Sequence, residues 1–147
     1  MERQSAEQSL PQELIERATL RGNEYAWRLD DIPLVIQAAK NANLVNLGGQ
    51  LQFRIPEIGT CELHYVEVRT HYAVPETLPW AERVEKSALV AMEQFRNLPR
   101  EYDFIHEGRL GFGRYLSEAE ANGLSLKEVM CFVWYLLADE ADGGKVI

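Results

Sequence analysis

The feature that most constrains this fold is an alternation of apolar and polar residues in the middle of the chain. From residue 50 to residue 55, polar and apolar side chains occupy alternate positions, which is typical of a strand buried on one face. Residues 56–59 supply a turn, and a second segment, from about Thr60 to Thr70, is rich in β-branched and aromatic residues. The pattern predicts a central hairpin over about residues 49–70.

Helical patterns flank this hairpin on both sides. Before it, the segment at 24–29 has the alternation of a short strand, and Asp30-Asp31 followed by Pro33 indicates the start of a helix. After it, one apolar stripe from Trp80 to Leu98 predicts a long helix that ends at Pro99. A shorter helix is expected at roughly residues 113–121.

A last helix is predicted from Ser125 through Leu137. Ser125 and Glu128 have the spacing of a capping box. The apolar residues that follow would cover roughly 200° of this helix at about 100° per residue, which is wider than an ordinary surface helix requires. The extra width indicates a central position, or a flank that contacts a partner or a second copy of the chain.

These elements predict an α+β fold with a small antiparallel sheet of two to four strands. About four or five helices pack against the sheet, and the C-terminal half is helical. The 147 residues are enough for a single domain, 1–147, without disulfides or metals. Residues 1–8 are polar and are expected to form a flexible N-terminus.

Charge excludes several classes of partner. The net charge is −8, which argues against direct nucleic-acid binding and against anionic membranes. Half of this charge lies in residues 116–147, where 6 acids face 2 bases. A basic protein partner is compatible with this distribution.

Cysteines and histidines indicate neither a disulfide nor a metal site. Cys61 and Cys131 fit no zinc or redox spacing. Cys61 and His64 would point to opposite faces of a strand, so they would not share a metal. The N-terminus lacks the pattern of a signal peptide, so a cytoplasmic protein is expected. No cofactor is predicted. Glycine-rich residues 108–113 are interpreted as a turn, because they lack the Lys-Ser/Thr of a phosphate loop.

The first functional hypothesis is a non-enzymatic inhibitor of the immunity or antitoxin type, which neutralises a basic protein such as a nuclease toxin. Tyr135 lies opposite the apolar stripe of the predicted last helix, close to several carboxylates. An acidic patch steers association with a basic cleft, and an aromatic anchor supplies affinity. The predicted partner-binding residues are Trp134, Tyr135, Asp139, Glu140 and Asp142.

The alternative hypothesis is a small-molecule-binding domain or enzyme. Glu62 and His64 share a strand face, where a carboxylate can orient an imidazole as a general base. Val66 and Val68 would continue that face, and no nucleophile is identifiable nearby, which favours a non-enzyme. The alternative ligand site comprises Glu62, His64, Tyr65 and Arg69.

Overall fold

Five antiparallel strands form one sheet in the part of the chain that the computed structural model describes, residues 5–139. The spatial order of the strands is β1-β2-β5-β3-β4. Their bounds are β1 Thr19–Arg21, β2 Glu24–Trp27, β3 Val45–Ile55, β4 Gly59–Arg69 and β5 Met130–Leu137. The last strand in sequence therefore lies in the middle of the sheet, and β1 and β4 form its edges.

Five α-helices accompany the sheet in these residues, and two of them form most of the chain after the hairpin. Their bounds are α1 Gln12–Arg17, α2 Ile32–Asn41, α3 Trp80–Glu101, α4 Phe104–Ala121 and α5 Leu126–Val129. Short 3-10 segments occupy Ala6–Ser9 and Leu29–Asp31. The predicted α+β class, the central hairpin and the strand near residues 24–29 are confirmed.

The predicted last helix is wrong beyond its first turn. Only Leu126–Val129 is helical, and the next eight residues form β5. Five consecutive residues, from Cys131 to Tyr135, include four that are buried, because neighbours cover both faces of this strand. A short apolar run of this kind does not distinguish a buried strand from a helix by periodicity. The sheet consequently has five strands, more than the two to four expected.

The central hairpin contains a bulge in β4. Leu51 pairs with Leu63, but its neighbour Gln50 pairs with Glu67, so residues 64–66 of β4 have no partner in this register. Because of these extra residues, Val66 turns into the core with no exposed surface. Val68 also packs in the main core, so the expectation that Val66 and Val68 continue the face of Glu62 and His64 is wrong.

The main core lies between one face of the sheet and the helices. Its largest fully buried side chains include Trp27 of β2, Phe53 of β3 and the Phe132–Trp134 pair of β5. Their alternate neighbours Ala26, Cys131 and Val133 form a separate small cluster, against which Tyr135 packs. We call the side of the sheet that carries this cluster the second face.

The sheet curls around its second face. The two edges of a flat five-stranded sheet would be about 19 Å apart. Here Arg21 of β1 donates a hydrogen bond to the hydroxyl of Thr60 on β4, with an Nη1–Oγ1 distance of 3.0 Å. This contact between the two edge strands requires strong curvature, which is why polar residues on the second face are buried.

The glycine-rich segment at 108–113 belongs to helix α4 and not to a turn. Phe112 has non-helical dihedrals, φ −138° and ψ 36°, which kink the helix. Gly108 lies against the ring of Phe53, where an added Cβ would be 2.7 Å from the ring. The close packing of α4 on the sheet explains why residue 108 is a glycine. Within residues 5–139, none of the helices has the length and apolar character needed to span a membrane.

Candidate functional site

Tyr65 is the most prominent exposed side chain on the edge strand β4. The bulge turns it outward, with 53% of its surface exposed. Its hydroxyl donates a hydrogen bond to Glu107 Oε1 of α4 at 2.8 Å, and its ring meets the edge of Tyr102 at 5.8 Å. Burial of the hydroxyl and its bond to Glu107 raise the pKa of Tyr65. We call Tyr65, Tyr102 and Glu107 the Tyr65 patch.

The two polar neighbours of Tyr65 on β4 are in contact with each other. His64 Nε2 lies 3.6 Å from Glu62 Oε2, and the side chains are 71% and 40% exposed. His64 Nδ1 lies 3.4 Å from Gln50 Oε1, which places this pair on the second face. The predicted shared face is correct. An imidazole so open to water lacks the enclosure that makes charged groups effective in catalysis.

The structure does not bring the four residues of the alternative ligand site together. Arg69 forms an ion pair with Glu67 at 2.9 Å and pairs across the hairpin with Gly48, beyond the bulge. Tyr65 instead leans toward α4. Glu62 and His64 form one group, while Tyr65 and Arg69 each have different partners.

Arg54 is the centre of a buried polar network on the second face, and sequence reasoning did not identify it as a site residue. Its side chain is only 5% exposed. Nε donates to Gln52 Oε1 at 3.0 Å, Nη1 donates to the carbonyl and hydroxyl of Thr19 at 2.7 and 3.0 Å, and Nη2 donates to the carbonyl of Glu24 at 3.1 Å. Burial lowers the pKa of Arg54. The network fastens the β1–β2 hairpin to the centre of the sheet.

Arg54 and Glu107 were not predicted as site residues, and the sequence indicates their positions to different degrees. The alternation at 50–55 indicates that Arg54 shares a polar face with Gln52, but it does not indicate that β1 and β2 cover that face. Glu107 carries no local signal, because its contact with Tyr65 spans 42 positions of sequence. Only the packing of α4 beside β4 brings them together.

The predicted partner-binding aromatics are engaged inside the chain. Trp134 has no exposed surface, and its indole N–H donates to Asn46 Oδ1 at 2.9 Å. The Tyr135 hydroxyl donates to Glu24 Oε2 at 2.6 Å, and burial, followed by this bond, raises the pKa of Tyr135. Asp139 also has an interaction within the chain. Glu140 and Asp142 lie outside the described residues, so their role stays a prediction.

Metal ligands do not cluster in residues 5–139: no group of three or more His, Cys, Asp or Glu side chains there could hold an ion. Cys61 packs in the main core, whereas His64 is exposed, as expected for opposite strand faces. Both cysteines are buried free thiols. Burial raises the pKa of Cys131 to about 11, so at neutral pH this thiol is protonated and a poor nucleophile.

Comparison with known proteins identifies no relative. No protein-family model matches the chain, and neither the curated proteins nor the solved structures contain a significant match.

Proposed function

We propose that this chain is a cytoplasmic, non-enzymatic binding protein that captures and inhibits a basic protein partner. An immunity protein or antitoxin that blocks a nuclease toxin is the class that fits this proposal. The observation that carries it is Tyr65, a half-exposed tyrosine held beside the carboxylate of Glu107 on the edge of the sheet.

Tyr65 has the properties of an interface anchor. Tyrosine is enriched in binding hot spots, and an aromatic side chain with two torsions loses little conformational entropy on binding. The bond to Glu107 and the contact with Tyr102 hold the ring in position before a partner arrives. Such preorganisation reduces the entropic cost of association.

The charges around this anchor favour a basic partner. Glu107 belongs to the patch, and Asp103 follows Tyr102 directly at the start of α4. The whole chain has a net charge of −8. Carboxylates near an anchor accelerate encounter with a positively charged cleft and disfavour acidic competitors. The effect on association should weaken at high salt.

The Tyr65 patch replaces the C-terminal residues as the proposed anchor. Trp134 and Tyr135 make their hydrogen bonds within the chain, so a partner could use them only by displacing Asn46 and Glu24. Tyr65 keeps about half of its surface open while bonded. The acidic residues at 139, 140 and 142 stay as predicted contributors to steering.

Retention of partners from a host lysate tests the proposal. Tagged wild-type protein is compared with Tyr65→Ala and Glu107→Gln, and with the control variants Tyr115→Ala and Glu118→Gln, which change an exposed tyrosine and glutamate of α4 away from the patch. We expect a stoichiometric basic protein to be retained at low salt and released at high salt. Both patch variants should lose it, and both controls should keep it.

A second step identifies inhibition. The retained protein is purified and its activity is assayed with wild-type chain and with Tyr65→Ala, and only the former should inhibit. If all variants retain the same proteins, or if the retained protein keeps full activity, the inhibitor proposal is wrong. Equal melting temperatures among the variants exclude unfolding as the cause of lost capture.

The contact between Glu62 and His64 supports a second candidate, a small-molecule-binding protein with its site on the second face. Its test is a thermal-shift screen with wild-type protein and His64→Ala. A ligand that stabilises only the wild type would favour this candidate. A response that is identical in His64→Ala would exclude this pair from the site.

A further inference from the structure

Helix α3 carries an exposed stripe along its length. At about 100° per residue, these positions fall within an arc of about 100° on one side of the helix. The stripe consists of Glu82, Glu85, Lys86, Leu89, Glu93 and Arg96, all of which are exposed. The opposite side, which includes Val84, Ala88 and Ala91, packs into the protein.

Leu89 is the apolar centre of this stripe. It is 70% exposed and borders an open groove of about 510 Å³ that Leu78 and Ala81 also line. The small side chain of Ala81 leaves room for a partner beside the helix. Leu89 and this groove are the apolar part of a stripe that is otherwise charged.

The charges on both sides of Leu89 have opposite signs. Glu82 lies seven residues before Leu89, and Arg96 lies seven residues after it. Lys86 lies three residues before, and Glu93 lies four residues after. In the described part of the chain, none of these four side chains takes part in an ion pair. The supporting Glu82–Lys86 pair that i,i+4 spacing predicts is absent there.

We propose that this stripe binds the same stripe of a second copy of the chain, with the two α3 helices antiparallel across a two-fold axis at Leu89. At about 1.5 Å per residue, Glu82 and Arg96 lie about 10.5 Å on either side of the axis. Reversal of the partner helix brings Glu82 opposite the partner's Arg96, and the two-fold axis repeats the pair.

A second pair of charges matches in the same arrangement. Lys86 lies about 4.5 Å before the axis, and Glu93 lies about 6 Å after it, so these two meet across the interface with an offset of one residue. The two leucines meet at the centre. The leucine contact, the Glu82–Arg96 pair and the offset Lys86–Glu93 pair are thus favourable between two copies, and this match of opposite charges supports a second copy as the partner.

Glu85 is the charged residue of the stripe that would face a like charge, because it lies opposite the partner's Glu93. Its carboxylate already lies 3.2 Å from Lys40 of α2 in the same chain. That ammonium group offsets the repulsion. The Tyr65 patch shares no residue with the stripe, so dimer formation and partner capture can be tested separately.

Sedimentation velocity across a concentration series tests the dimer. We expect the wild type to form a dimer and Leu89→Asp to sediment as a monomer. Leu110→Asp is the matched control, since Leu110 of α4 is 68% exposed, and it should stay dimeric. A wild type that remains monomeric at its highest soluble concentration would overturn the proposal, as would a Leu89→Asp dimer.

Charge reversal identifies the antiparallel arrangement. Glu82→Arg alone and Arg96→Glu alone each place like charges opposite one another twice, so each variant should be monomeric. A mixture of the two variants should form a heterodimer, because the introduced arginine of one chain then meets the introduced glutamate of the other, while the native Arg96 meets the native Glu82. Failure of the mixture to associate, with circular dichroism like that of the wild type, would reject this register.

Discussion

At Gly49 the backbone of β3 passes so close to β5 that no side chain fits. A Cβ at this position would lie 1.6 Å from the carbonyl oxygen of Val133, and one at Gly48 would lie 2.0 Å from that of Val68. Both neighbours are backbone atoms of paired strands, so they cannot move aside as a flexible side chain does. The glycines allow β3 to pair on both sides.

Gly49→Ala should therefore be strongly destabilising. We expect a loss of more than about 3 kcal/mol in the free energy of unfolding, measured in urea, because the strands must separate to admit the methyl group. Gly111→Ala in α4 is the control, since nothing lies within 4 Å of its Cβ, and it should be neutral or gain up to about 1 kcal/mol. Similar values for the two variants would contradict this account.

Cys131 gives the fold a dependence on alkaline pH. Burial raises the pKa of its thiol from an ordinary 9.0 to about 11. The folded state therefore holds this proton where the unfolded chain has lost it. The associated stability is fully present below about pH 9 and is lost as the pH rises toward 11.

Urea unfolding at several pH values should detect this contribution of Cys131 to the free energy of unfolding. The free energy of unfolding of the wild type should fall between pH 9 and 11 by about 2 kcal/mol from Cys131. The free energy of unfolding of Cys131→Ala should decline less steeply over this pH range. Tyr65 and Tyr135, whose pKa values are also raised, are present in both proteins, so their contribution cancels in the comparison. Parallel curves for the two proteins would show that the thiol makes no contribution.

At the scale of elements, the β1–β2 hairpin depends on side chains from elsewhere. All three residues of β1 are exposed, so burial contributes little to its position. Arg54 donates to Thr19 of β1 and to Glu24 of β2, and Arg21 reaches Thr60. These contacts close the hairpin over the second face.

Arg54→Met should release the hairpin locally. Methionine keeps part of the apolar stem but leaves the carbonyl acceptors of Thr19 and Glu24 without this donor. We expect amide hydrogen exchange in Thr19–Arg21 to accelerate at least about tenfold, which corresponds to about 1.4 kcal/mol. Arg100→Met, an exposed change in α3, should leave these amides unaffected. Unchanged exchange in Arg54→Met would mean that other contacts hold β1.

At the scale of the whole molecule, Asn46 connects the sheet to helix α2, which precedes the central hairpin, and to helix α3, which follows it. Its side chain is fully buried, accepts from the Trp134 indole and donates to the Ile36 carbonyl of α2. Its backbone N–H donates to the Ser87 hydroxyl of α3 at 2.9 Å. One residue thus joins β3, β5, α2 and α3.

Asn46→Ala should destabilise the whole fold. It leaves the buried indole N–H of Trp134 without its acceptor and removes the side-chain bond to the Ile36 carbonyl, which should cost about 2–4 kcal/mol in the free energy of unfolding. Asn41→Ala, an exposed change near the end of α2, should stay within about 0.5 kcal/mol of wild type. A loss of less than about 1 kcal/mol for Asn46→Ala would indicate that water replaces the amide.

The sequence by itself determined the parts of the fold whose signal is local. The alternation at 50–55 predicts β3, because successive strand residues face opposite sides. The apolar stripe from Trp80 to Leu98 predicts α3 for the corresponding reason at helical spacing. The shared face of Glu62 and His64 follows from the same rule, since the bulge begins only at residue 64.

Tertiary structure decided the rest, because the deciding contacts join distant positions. The run from Met130 to Leu137 became a strand only by pairing with β2 and β3, and burial on both faces removed the alternation that would have marked it. Tyr65 acquired its carboxylate neighbour when α4 packed beside β4. Arg54 became buried when the sheet curled. No local pattern encodes these events, since each depends on the mutual packing of elements far apart in the chain.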